Sequence, residues 1–177
     1  MRPYPEPYIA YLVEFHATRD YFECHELLEE YWKDHLDDGL ADLWVGLIQL
    51  AVGQYHERRG NRRGAGRMYA ESLKRLSSVD WSGTGLRQDD LLKQLRIRLA
   101  AVNEEGESPY RDMRFIIEDD ELMRICEVEC QKLGVVWGAA SPMDNDAVIH
   151  RHKLRDRSVV IAARAAALAE KRAGREK

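Results

Sequence analysis

Three side chains that could bind a metal ion or transfer a proton lie close together in the segment YFECHELLEEYW. His25 and Glu29 are four residues apart, and Glu26 lies between them. On a helix, residues four apart project from one face, so this imidazole and carboxylate could hold one ion together. The segment is not the two-histidine H-E-x-x-H zinc motif, because Glu29 stands where the second histidine would be.

Two more polar side chains, Gln49 and His56, occur in the segment GLIQLAVGQYHERRG. They alternate with Gly46 and Gly53 at spacings of three and four, which places all four on one strip of a helix. The glycines would let another backbone approach closely, at a cost in helix propensity of about 1 kcal/mol each. Gln49 and His56 are the polar groups that such an approach would enclose.

The set His25, Glu29, Gln49 and His56 has two interpretations. As a buried hydrogen-bonded network it would fix the register of the helices, because buried polar groups need partners. The protein would then be a non-catalytic interaction or scaffold module without a cofactor. Alternatively, His25, Glu29 and His56 would bind zinc or iron in a metal-dependent enzyme, most simply a hydrolase, with Glu26 as the base.

A third candidate site is the arginine-rich segment ERRGNRRGAGR. Arg58 and Arg59 end one predicted helix, where positive charge complements the helix dipole, but Arg62 and Arg63 begin the next, where each opposes it by about 0.3–1 kcal/mol. Together with Arg67, these four arginines could bind a phosphate or carboxylate at free helix amides. The protein would then be an anion- or nucleotide-binding regulator. The alternative is a solvated loop whose arginines pair with acidic groups.

The elements that must position these groups are helical, because apolar residues recur with helical periodicity almost throughout the chain. The sequence predicts an all-α protein, a compact bundle of about five to six helices with a long C-terminal helical extension. The dipeptide Gly60-Asn61 reads as the end of one helix and the cap of the next. We predict helices over 7–18, 21–34, 40–59, 62–77, 89–105, 119–133 and 146–172.

The helix over 40–59 is apolar around most of its girth, which predicts a central, buried position. A short loop joins it to the helix over 21–34, so the two should pack antiparallel. Large residues of both helices are expected in the core: Leu28, Trp32, Trp44, Leu47 and Ile48. Further structural roles are expected at the glycines and the cap of the following turn: Gly53, Gly60, Asn61 and Gly64.

Charge divides the chain unevenly. Residues 145–177 contain nine Lys or Arg and four Asp or Glu, a surplus of five positive charges. Since the whole chain has a net charge of −4, residues 1–144 carry a surplus of nine negative charges. An acidic body disfavours nucleic-acid binding, which draws on phosphate neutralisation. We predict a bundle domain over 1–133, a linker over 134–145 and a basic C-terminal helix over 146–177.

The C-terminal segment shows a weak coiled-coil seam, formed by Leu154, Ser158, Ile161, Ala165 and Leu168. It is expected to dock on the body, on a protein partner or on a second copy of the chain. No apolar run approaches the roughly 20 residues that cross a membrane. Three cysteines do not form a disulfide framework, so a cytoplasmic protein is expected.

The sequence resembles a known family over at least residues 14–75. The signature F-E-x-H-E-x-L-E-x-x-W is matched from Phe22 to Trp32, and G-L-I-Q and G-N-x-x-G-A follow from Gly46 and Gly60. These motifs are similar to the bacterial and archaeal family of unknown function numbered 309. SPYRDM and HRHKLRDRS resemble segments of its longer Gram-positive members. The resemblance implies an all-helical bundle and an uncharacterised protein, and it supplies no activity.

Overall fold

The computed structural model describes residues 4–154 and, further on, positions 162, 165, 166, 169, 170 and 173. The chain is all-α, as predicted: its described residues contain helices and, as their single β feature, an isolated bridge between Leu86 and Ile117. The helices are α1 Glu6–Val13, continued by one π-helical turn Glu14–Thr18, α2 Tyr21–Asp34, α3 Ala41–Arg58, α4 Arg62–Leu76, α5 Gln88–Asn103, α6 Asp120–Leu133, α7 Asp146–Ile149 and α8 Arg151–Leu154.

Side-chain caps mark the starts of α2 and α4, and the cap of α4 is the predicted one. The Asp20 side chain accepts a hydrogen bond from the Glu23 amide at the start of α2. Asn61 does the same for the Gly64 amide of α4, immediately after Gly60, whose φ of +79° suits a residue without a side chain. These side chains satisfy amides that the first helical turn leaves unpaired.

Helices α2 and α3 pack antiparallel, which confirms the prediction. Tyr21 at the start of α2 contacts Gln54 near the end of α3, whereas Tyr31 near the end of α2 packs edge-on against Trp44 near the start of α3. Four of the five expected core residues are buried: Leu28, Trp44, Leu47 and Ile48. The fifth, Trp32, is half-buried.

Helix α3 approaches α4 closely through its glycines. A Cβ atom on Gly53 would lie 2.5 Å from the ring of Tyr69, and one on Gly46 would lie 2.6 Å from the side chain of Leu76. The Gly46 carbonyl accepts a hydrogen bond from the Ser72 hydroxyl of α4. The close approach expected from the glycine strip is therefore present.

The segment 134–145, which the sequence predicts to be a linker, packs on the bundle. Trp137 stacks on the ring of His16 with 4.2 Å between ring centroids, and the Gly138 amide donates to the His16 carbonyl. The Ala139 carbonyl accepts from the Arg19 side chain. Apolar and hydrogen-bonding contacts thus attach this segment to the body along its length.

The C-terminal helix predicted from residue 146 onward is interrupted in the structure. Helix α7 ends at Ile149, and α8 begins at Arg151 after the non-helical residue His150. Most of the predicted coiled-coil seam lies outside the described residues. None of the helices within the described part of the chain has the length and apolar content needed to span a membrane.

Candidate functional site

The polar side chains in the second half of α3 divide between two opposite faces. Gln54 and Glu57 are buried, with 0% and 6% of the residue exposed. His56 and Arg59 are half-buried on the opposite side. The two faces have different surroundings.

The first face contains a buried ion pair. The Glu57 carboxylate accepts hydrogen bonds from the Arg98 guanidinium of α5 and, at 2.6 Å, from the Tyr69 hydroxyl of α4. The Tyr69 hydroxyl in turn accepts from the Gln54 side-chain amide at 2.7 Å. Arg98 also donates to the Pro109 carbonyl. The ion pair therefore ties α3, α4, α5 and the segment after α5 together.

A second carboxylate, Asp112, continues this polar region. It accepts hydrogen bonds from the hydroxyls of Tyr21 at 2.8 Å and Tyr110 at 2.6 Å, and from the amide of Ser141 at 2.8 Å. Burial acts to raise the pKa of Asp112, but the hydrogen bonds from Ser141 and Tyr110 lower it overall. We refer to the side chains linked in this way as the enclosed network: Tyr21, Gln54, Glu57, Tyr69, Arg98, Tyr110, Asp112 and Ser141.

Two buried arginines border the enclosed network. Arg19, in a left-handed conformation with φ of +57°, donates to the Phe15 and Met113 carbonyls. Arg58 donates to the Arg19 carbonyl at 2.6 Å, and its guanidinium lies 4.6 Å from the centre of the Tyr21 ring. These contacts hold the turn before α2 against the end of α3.

The structure does not assemble the four residues predicted as a buried network. His25 is half-buried and pairs with Glu29 of its own helix, with 2.7 Å between Nε2 and Oε2. The Gln49 Oε1 atom is buried without a hydrogen-bond partner among the described residues, and His56 pairs with Asn61 at 3.2 Å. The reason is the rotation of α3, which directs Gln54 and Glu57 to the interior while its glycines face α4.

On the opposite face of α3, the structure brings His25 and His56 to one pocket of about 370 Å³, between α2, α3 and α8. The pocket also receives His152, whose Nδ1 atom lies 2.6 Å from the Tyr55 hydroxyl. The guanidinium of Arg59 lies 5.0 Å from the centre of the Tyr55 ring. We call this the histidine pocket, with the lining residues Tyr21, Phe22, His25, Val52, Tyr55, His56, Arg59, Asn61 and His152.

One side of the histidine pocket is electropositive. Burial lowers the pKa of His56, and the charge of Arg59 lowers it further. Burial also lowers the pKa of His152, and the charges of Arg59 and Lys153 add to this effect. The Arg59 Nε atom is buried and has no hydrogen-bond partner within the described part of the chain. A negatively charged group would offset the charge of Arg59 and could accept a hydrogen bond from its guanidinium.

His25, which lines the pocket, also belongs to the group first noted in the sequence. Each of His25, Glu26 and Glu29 offers one ligand atom, and these three atoms lie within 4.8 Å of one another. Glu26 lies 3.2 Å from the Nδ1 atom of His25, and Lys33 pairs with Glu29. The group can hold a divalent cation through one nitrogen and two oxygens, or it can remain an ion-pair network on the surface of α2. His56, the third predicted metal ligand, does not belong to this group.

The arginine-rich segment does not form one anion site. The Arg62 guanidinium of α4 donates to three carbonyls near the end of α5, those of Ala101, Val102 and Glu104, and to that of Gly106. The negative end of the α5 dipole thus compensates the charge that opposes α4. Arg58 is buried, and Arg63 and Arg67 are exposed away from the pocket lining. Of the five predicted arginines, Arg59 lines the histidine pocket.

Sequence reasoning missed several residues that the structure makes important. Glu57 and Arg98 are 41 residues apart, and no local pattern in the sequence links them. His16 is buried, accepts a hydrogen bond from the Phe115 amide and lies 2.7 Å from the Leu12 carbonyl. His152 enters the pocket from the C-terminal segment. The tyrosines of the enclosed network were an available signal in the sequence, because buried tyrosine hydroxyls need hydrogen-bond partners.

The fold and the site define an all-helical bundle protein with an enclosed polar network and a small half-open pocket. The chain belongs to the family described as Domain of unknown function (DUF309), whose model matches residues 8–68. It is 44% identical over 160 residues to the Uncharacterized protein YpuF of Bacillus subtilis (strain 168). That alignment covers 89% of this chain and 91% of the relative. No solved structure gives a significant match.

Proposed function

We propose that this protein is a non-catalytic binding module that takes a small organic anion in the histidine pocket. The observation that carries the proposal is the Arg59 guanidinium, whose buried Nε atom lacks a partner among the described residues. The charge of Arg59 also lowers the pKa of the two neighbouring imidazoles, His56 and His152. A buried donor without an acceptor costs about 1–3 kcal/mol, which a bound anion would recover. This proposal combines the binding module and the anion-binding regulator considered from the sequence.

The walls of the histidine pocket indicate the class of ligand. Phe22 and Tyr55 pack against each other with 5.8 Å between ring centroids, and Val52 adds an aliphatic surface. A volume of about 370 Å³ accommodates a small molecule of modest size. An aromatic ring bearing a phosphate or carboxylate group would match the apolar wall and the cationic wall at once.

The lining residues also favour binding over covalent catalysis. They include imidazoles, phenols, an amide and a guanidinium, but no serine, cysteine or lysine that could act as a nucleophile. The imidazoles of His56 and His152 each contact another side chain that fixes the ring, Asn61 and Tyr55 respectively. Fixed polar groups around an apolar wall are typical of a recognition site.

Thermal unfolding with inorganic phosphate and with phenyl phosphate tests this proposal. We expect both ligands to raise the Tm increasingly with ligand concentration, as linkage requires, and phenyl phosphate to act at lower concentration because its ring contacts the aromatic wall. Arg59→Gln should abolish both effects. Arg63→Gln, an exposed arginine outside the pocket, is the matched control and should leave both effects intact. Equal stabilisation of the two variants would show that phosphate acts on the protein surface in general.

A second function, a metal-dependent enzyme, is favoured by the distances among His25, Glu26 and Glu29. A divalent ion held by one imidazole and two carboxylates would keep open positions for water and substrate at the edge of the histidine pocket. Elemental analysis of protein purified without chelators or added metal tests it. One equivalent of metal that is lost in Glu29→Gln would support the enzyme, and its absence from the wild-type protein would leave the binding module.

A further inference from the structure

Helix α2 carries an acidic stripe along one edge. Its members are spaced by three or four residues and therefore project from one side of the helix. They are Asp20, at the cap, followed by Glu23, Glu30 and Asp34, with the apolar Leu27 between Glu23 and Glu30. At the far end of this acidic stripe, α2 and the start of α1 enclose a groove of about 760 Å³.

The groove combines negative charge with apolar surface. Its carboxylates are Glu6, Glu30 and Asp34, and no lysine or arginine is among its lining residues. Leu27 and the rings of Tyr4 and Tyr31 form the apolar part. A cationic amphipathic segment would complement both features.

The near end of the acidic stripe is already occupied by the C-terminal segment of the same chain. Arg151, the first residue of α8, donates to the carboxylates of Asp20 and Glu23, the latter at 2.9 Å. The adjacent His152 bonds to Tyr55, which fixes the start of α8 beside the start of α2. Residues 155–177, beyond α8, carry a further surplus of positive charge.

The sequence of this segment has the pattern that the groove requires. Described positions 162, 165, 166, 169, 170 and 173 are exposed, and all are alanine except Glu170. At about 100° per residue, the opposite side of a helix in the same register would alternate apolar and basic residues. That side reads Leu154, Arg157, Ile161, Arg164, Leu168, Lys171 and Arg175.

We propose that the chain's own C-terminal segment, residues 155–177, docks along the acidic stripe and fills the groove between α1 and α2. The stripe from Asp20 to Asp34 is about 21 Å long, and a helix starting at Arg151 covers this distance by residue 165. Arg164 then reaches the level of Glu30 and Asp34. Ile161 and Leu168 pack on the apolar part of the groove.

Hydrogen exchange on the full-length protein tests this docking. In the wild type we expect amides within 157–172 to be protected independently of protein concentration. The segment variant Arg157→Glu/Arg164→Glu and the groove variant Glu30→Lys/Asp34→Lys should each accelerate that exchange by about five- to tenfold, since opposite charges are replaced by like charges. Combining the four substitutions restores opposite charges and should restore most of the protection.

The matched control is Arg155→Glu, which changes a charge on the alanine side of the helix and should leave exchange unchanged. The docking is refuted if the groove variant does not alter exchange within 157–172, or if this segment exchanges freely in the wild type. Protection that grows with concentration, together with a dimer in sedimentation velocity, would show that a second copy fills the groove and would overturn docking within one chain.

Discussion

The two polar regions on either side of α3 use similar residue types under different physical conditions. In the enclosed network, the Glu57 carboxylate is paired with Arg98 and hydrogen-bonded to Tyr69, with nearly all of its surface removed from solvent. In the histidine pocket, Arg59 and His56 lie close together without a carboxylate among the lining residues. The charge of Glu57 is compensated by Arg98 in the first region, whereas the charge of Arg59 meets no carboxylate among the lining residues of the second.

This difference separates a structural role from a binding role. Buried polar groups that satisfy one another hold helices in register, and losing one partner leaves the other desolvated and unpaired. Polar groups that leave a donor unpaired at a half-open pocket are available to a ligand. The same helix therefore stabilises the bundle on one face and presents a candidate site on the other, and the following predictions test this division.

The largest effect is expected from Glu57→Gln in the enclosed network. The Arg98 guanidinium would remain buried without a counter-charge, which typically costs about 3–5 kcal/mol. The free energy of unfolding from urea titration measures the effect. Glu29→Gln is the control, because its partly exposed pair with Lys33 should contribute less than about 1 kcal/mol. Similar losses in the two variants would contradict the division between the two faces.

The next effect concerns the buried histidine His16. Burial lowers the pKa of His16 to about 4. The unfolded chain, with a histidine pKa of about 6.5, therefore binds more protons between these two values. The contribution of His16 to the free energy of unfolding is fully present above about pH 6.5. It is lost as the pH decreases toward 4, and the loss amounts to about 3 kcal/mol.

Urea titrations between pH 4 and pH 7 measure this dependence. Subtracting the curve of His16→Gln from that of the wild type isolates the contribution of the imidazole. We expect a positive slope of unfolding free energy against pH in the difference, confined to this interval. A difference curve that is flat would show that His16 remains accessible to protons in the folded protein.

A smaller effect is expected at the contact between α3 and α4. Gly53→Ala would place a Cβ atom 2.5 Å from the Tyr69 ring, which cannot move without disturbing its hydrogen bonds to Gln54 and Glu57. We expect a loss of about 1–3 kcal/mol in the free energy of unfolding. Gly46→Ala meets the flexible Leu76 side chain and should cost less, and the reverse order would be unexpected.

The smallest effect belongs to the histidine pocket. A bound anion should raise the lowered pKa values of His56 and His152, so its binding takes up protons and strengthens as the pH falls from 8 to 6. Each histidine should change the affinity by less than about tenfold. Calorimetric titration with sulfate, which does not titrate in this range, measures the dependence. The pH dependence of sulfate affinity should weaken in His56→Asn, and an unchanged pH profile would exclude this imidazole from the site.

The fold was largely predictable because its signals are local. Helical periodicity, the capping side chains of Asp20 and Asn61 and the turn at Gly60 each depend on residues a few positions apart. The predicted close approach at Gly46 and Gly53 was also confirmed, because a strip of glycines on a helix favours close packing of a neighbouring helix. The interruption at His150 and the packing of 134–145 were missed, because both depend on contacts with distant parts of the chain.

The candidate site was predictable only in part. The pairing of His25 with Glu29 follows from their spacing, and the structure shows it. The prediction that Gln49 and His56 join His25 and Glu29 in one hydrogen-bonded network was wrong, because a helix that is apolar around most of its girth does not reveal which face turns inward. A rotation of one residue on the helical wheel, about 100°, changes which polar groups are enclosed.

By itself, the sequence determined that this protein is all-helical, where its main helices begin and end, and which side chains share a helical face. These properties arise from backbone hydrogen bonds and side-chain spacing within one segment. Only the tertiary structure decided that Glu57 pairs with Arg98, that His152 joins His25 and His56 at one pocket, and that Arg62 caps α5. Each of these depends on the rotation and packing of whole helices, which is fixed by the burial of apolar surface summed over the molecule.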